Sequence, residues 1–99
     1  MLSEAQVTLI SPSGVAIKPM VESALRSELR MIELGLKQTA LHLQEYETQY
    51  GMTTDEFYRA LTHDELQEAL YTIDWAGEYK TWQKLQAKRQ ALMEIDFAN

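Results

Sequence analysis

Few residues in this 99-residue chain have the types and spacing that chemistry needs. His42 and Glu45 stand three apart, which on a helix points both side chains to one side. That arrangement permits a pair of metal ligands, but two ligands do not close a site. Asp74 and Glu78, at i and i+4, share a helical face and are the best-placed pair of carboxylates. Glu45 and Glu47 point to different faces. His63-Asp64-Glu65 sits where a helix cap is expected. Neither histidine has the serine and acid partners of a hydrolytic triad, and no serine stands in a nucleophile elbow. The four glycines, at 14, 35, 51 and 77, are too scattered for a phosphate-binding loop. There is no cysteine, which excludes disulfides and thiolate metal sites. The reading is a non-enzyme with no catalytic residue, no metal and no cofactor.

Charge carries more information. Between Gln44 and Glu78 nine acids face a single cation, Arg59, for a local charge of −8 within an overall −6. Such a block disfavours a nucleic-acid backbone and fits a basic protein partner, the alternative being a solvated acidic surface. Lys80, Lys84, Lys88 and Arg89 follow without an intervening acid, leaving weak autoregulatory DNA binding as a minor alternative. No run approaches the ~18 apolar residues of a membrane span. The N-terminus lacks a signal-peptide pattern, so a cytoplasmic protein is expected.

The elements that would position these residues follow from periodicity. Val7–Ile10 and Val15–Lys18 are short β-branched runs around Ser11-Pro12-Ser13-Gly14, which predicts a β-hairpin over 5–18. Pro19 suits a helix start. Val21, Leu25, Leu29, Ile32, Leu36, Ala40, Leu43, Tyr46 and Tyr50 recur with a mean step of about 3.6, predicting a long helix over 19–50. Gly51 then suits a left-handed stop. Thr53-Thr54-Asp55-Glu56 has the form of a capping box, with Met52 and Phe57 as a hydrophobic staple. A short helix over 54–61 follows. Thr62-His63-Asp64-Glu65 repeats the capping signal, so a further helix is predicted over 66–93, with a break conceivable at Tyr71-Thr72. Met93, Ile95 and Phe97 alternate with acids and predict a strand over 94–98.

The sum is one domain, mainly α but of the α+β class. It is a long antiparallel helical hairpin with a short connecting helix. A small β-sheet joins the N-terminal hairpin to the C-terminal strand.

The last helix has two apolar faces. Leu66, Ala69, Leu70, Ile73, Ala76 and Gly77 lie together; Tyr71, Trp75, Tyr79 and Trp82 lie opposite. The aliphatic face is expected to pack internally, with Gly77 admitting a close backbone. The expected partner interface is the aromatic face, Tyr71, Trp75, Glu78, Tyr79 and Trp82, because Trp and Tyr dominate binding hot spots. The alternative use of these aromatics is simple core packing.

Glu45-Tyr46-Glu47, then Tyr50-Gly51-Met52-Thr53-Thr54-Asp55-Glu56-Phe57, then Asp74-Trp75-Ala76-Gly77-Glu78, then the Leu85–Ile95 tail occur in a recognisable order. This order resembles a family of small prokaryotic proteins, abundant in cyanobacteria and archaea, associated with toxin–antitoxin systems. Members often carry Glu where Asp74 stands. The resemblance implies an antitoxin that neutralises a nuclease-like toxin by direct binding. The competing expectation is a homo-oligomeric structural or adaptor protein, motivated by the overlong helix. A homodimer is compatible with both.

Overall fold

The computed structural model describes residues 5–7 and 17–97. Three helices make the fold: α1 (Lys18–Tyr50), α2 (Thr54–Thr62) and α3 (Leu70–Met93). Two three-residue strands, β1 (Ala5–Val7) and β2 (Ile95–Phe97), pair in parallel with Ala5 opposite Ile95 and Val7 opposite Phe97. The whole helical hairpin is the crossover that a parallel pair requires.

This corrects the expected class. One three-residue pair builds no β layer, so the protein is all-α rather than α+β with a small sheet. The turn of the expected hairpin lies outside the described residues. Its second strand does not reach 17–18: Ile17 has helical backbone angles and Lys18 already belongs to α1. Pro19 in the first turn accounts for that start, since it needs no N–H partner there.

The joint between α1 and α2 follows local chemistry. Gly51 adopts φ 68, ψ 30, a left-handed stop whose N–H donates to the Glu47 carbonyl at 2.9 Å. Thr53 Oγ1 accepts the Glu56 N–H at 3.1 Å, and Glu56 Oε1 accepts the Thr53 N–H at 2.9 Å. The Thr54 N–H donates to Glu47 Oε2 at 2.7 Å, tying α2 back to the last turn of α1. The start of the last helix differs from expectation. No helix begins at Thr62-His63-Asp64-Glu65. Instead His63 ends α2, and Asp64 takes a left-handed φ of 57. α3 begins at Leu70 rather than 66, where the Thr72 hydroxyl accepts the Ala69 N–H at 2.9 Å and donates to the Ala69 carbonyl at 2.8 Å.

α1 and α3 lie antiparallel, and α2 closes one end. The core gathers at that end around Trp75, which is fully buried. Its ring stacks on Phe57 at 3.9 Å between centroids and on Tyr46 at 5.4 Å. Its Nε1–H donates to Thr54 Oγ1 at 3.1 Å. Leu43, Tyr50, Tyr71, Tyr79 and Trp82 surround this nucleus. On α1 the buried face runs through Ile32, Thr39 and Leu43, whereas Ala40 is exposed. Thr39 takes the inward position because its hydroxyl is satisfied by the Gly35 carbonyl at 2.8 Å. Further along, Leu85 packs so close to Gly35 that an added Cβ would sit 3.1 Å from its Cδ1. The molecule measures 59 × 27 × 17 Å with a radius of gyration of 19.0 Å, against ~13 Å for a compact chain of this length. It is two helices wide and one layer thick.

Trp75→Ala is expected to cost ~3–5 kcal/mol of folding stability, measured by urea denaturation. A cost below ~1 kcal/mol would place the core elsewhere. A second expectation concerns acid. Hydrogen bonds from the Thr53 backbone and side chain hold the Glu56 carboxyl below its usual value. Its folded value is depressed, so its contribution is present above the unfolded value and lost as pH falls through the folded one. The gap in melting temperature between the wild type and Glu56→Gln should therefore narrow as pH drops below the carboxylate range.

Candidate partner-binding groove

The expected interface does not form one free surface. Trp75 is fully buried, so no partner can reach it without unfolding the chain. Tyr71 stacks on Tyr50 at 4.1 Å, and Tyr79 packs on Tyr58 and Trp82 at 5.0 and 6.3 Å. All three of Tyr71, Tyr79 and Trp82 are half-buried against the core cluster. The Tyr79 hydroxyl lies 3.4 Å from Asp55 Oδ1 as a donor. Glu78 faces α1, its Oε1 3.2 Å from His42 Nδ1. The five residues are brought together as an internal seam and its rim.

His42 thus finds its carboxylate across the helix pair rather than at Glu45. His42, Glu45, Tyr46, Gln49 and Glu78 line a shallow recess there. Burial, then the carboxylates of Asp74 and Glu78, push the Tyr46 hydroxyl above its usual value. Among the described residues no group of three or more histidines and acids is arranged to hold a metal ion.

With the aromatic face turned inward, the aliphatic face of α3 is left outside. Leu70 is 74% exposed and Ile73 is 54% exposed. Ile73 lines a groove of ≈ 610 Å³ between the start of α3 and the segment joining it to α2. Leu61, Leu66, Ile73, Ala76 and Gly77 form its apolar lining; Asp64, Glu68 and Lys80 bring the charges.

The groove exists because of how α2 stops. The Arg59 carbonyl takes the His63 N–H at 3.1 Å and the His63 ring nitrogen Nδ1 at 2.7 Å. The Glu65 N–H returns to the Ala60 carbonyl at 2.9 Å. These bonds and the left-handed Asp64 turn the chain sharply, so that residues 65–69 form a wall rather than the first turn of α3. Thr72, fully buried, pins the other end of that wall through Ala69. Of the residues that periodicity groups, Leu70, Ile73 and Gly77 share a face of α3 that points outward rather than inward, whereas Leu66 precedes α3 and, with Ala76, packs against the core cluster. The clue to the groove was Asp64, whose short polar side chain tolerates a left-handed backbone.

Gly77 belongs to this surface. A Cβ added there would meet nothing within 4 Å, so no neighbouring backbone requires the glycine, contrary to the expected close approach. No family model, curated protein or solved structure matches the chain.

Gly77→Ala is accordingly expected to raise stability by ~1 kcal/mol, the gain for replacing glycine within a helix. A rise in melting temperature of ~4–8 °C would be the readout. A fall would mean that the groove floor is closed by contacts in the folded chain.

Proposed function

We propose that this protein is a non-catalytic binding module that takes a basic segment of a partner protein into the groove between α3 and the 65–69 wall, and neutralises that partner as an antitoxin does. The observation that carries the reading is an exposed aliphatic groove inside the −8 segment of the chain. Apolar contact supplies affinity, and Asp64 and Glu68 at the groove, with Glu65 next to them in sequence, supply attraction and orientation. A large exposed aliphatic in the groove, Ile73, with exposed Leu70 one helical turn before it, suits the anchors of an amphipathic helix or an extended apolar-basic segment. The resemblance in the sequence supports a nuclease-like toxin as the partner, since proteins that act on nucleic acid carry clustered cations.

The test is co-expression with the small protein encoded beside it. Rescue from that protein's toxicity and a co-purifying complex are expected. Ile73→Glu and the pair Glu65→Lys, Glu68→Lys should each weaken the complex at least ~10-fold. The charge-reversed pair should also flatten the salt dependence of association. A neighbour that is harmless alone and forms no complex would refute the reading. Groove variants that bind normally would move the site elsewhere.

A further inference from the structure

The outer edge of α1, opposite its core-facing residues and away from the α3 groove, carries a second pattern. Met20, Met31, Leu34 and Leu41 are 65, 69, 57 and 53% exposed. With exposed Ala24, Ser27 and Gln38 between them, their steps are 4, 3, 4, 3, 4 and 3. That is the 3.5-residue repeat of a helix that winds around another helix, sustained for three heptads. It runs along the side of α1 that no other described element covers.

We propose that this edge pairs antiparallel with the same edge of a second copy, with Met31 against Leu34 across the two-fold axis. In that register Ala24 faces Leu41, small against large, and the polar Ser27 faces the polar Gln38. Both polar positions then meet each other instead of an apolar partner.

Charge selects the occupant and its direction. One end of the hairpin holds residues 44–78, with a charge of −8. The other end is of opposite sign. Residues 17–43 carry four cations against three acids, and 79–97 carry four cations against two. The contacts of Gly35 with Leu85 and of His42 with Glu78 align these two stretches along that far end. A parallel pair would set two −8 ends side by side. An antiparallel pair sets each −8 end against the +3 end of its mate, and opposes the two long helix dipoles as well.

The paired side chains all lie on α1, so the contact can be broken without touching the α3 groove. Sedimentation of the full chain should give a dimer. Leu34→Glu should raise the dimer dissociation constant ~30-fold or more, with helix content and capture of the basic partner unchanged. The chain has no cysteine, so placed thiols report orientation directly. Ser27→Cys mixed with Gln38→Cys should form the mixed disulfide under mild oxidation, in preference to either self-paired product. A monomeric wild type, a Leu34→Glu variant that stays dimeric, or self-pairing of Ser27→Cys in place of the mixed product would each overturn the proposal.

Discussion

The indole of Trp75 is the contact on which the rest of this structure depends. A helical hairpin one layer thick has little interior, and this one concentrates it at the end where three helices meet. The Trp75 ring fills that junction, stacked on Phe57 of α2 and on Tyr46 of α1. Its N–H must find an acceptor in a site without water access, and Thr54 provides it. Thr54 is itself held by the Glu47 carboxylate through its backbone N–H. One chain of contacts therefore fixes the angle between α1 and α2, the position of α2 against α3 and the rotation of α3 about its axis.

That rotation decides which face of α3 is exposed. Once Trp75 faces inward, Leu70, Ile73 and Gly77 must face outward, because they lie on the opposite side of the same helix. The wall formed by residues 65–69 then completes a groove within the most acidic part of the chain. The aromatic face of α3 is committed to packing, and the aliphatic face is left exposed. A large amphipathic aromatic is as useful in a small core as at an interface, since it covers much area with few rotatable bonds.

How far the sequence discloses this depends on the kind of signal. Caps are local, and Gly51 with Thr53-Thr54-Asp55-Glu56 is legible because each residue has one chemical role within four positions. The ends of α1 and α3 at Tyr50 and Met93 are legible for related reasons of periodicity. The inward face of α3 is not, because periodicity says which residues share a face and not which way it points. The deciding facts are tertiary: Phe57, Thr54 and Tyr46 converge on Trp75 from two other helices. The start of α3 escapes notice because a Thr72 hydroxyl closing on an Ala69 backbone leaves no conventional capping signature. The expected sheet reduces to one three-residue pair, because short β-branched or alternating runs do not by themselves supply the partners that make a layer.

The most direct test of this account is the fluorescence of Trp75 alone, in a Trp82→Phe protein. A buried indole against three aromatic rings should emit at short wavelength and resist quenching by acrylamide until the chain unfolds. Emission at the wavelength of exposed tryptophan, with ready quenching in the native protein, would mean that the aromatic face is open and the assignment of the two faces of α3 is reversed.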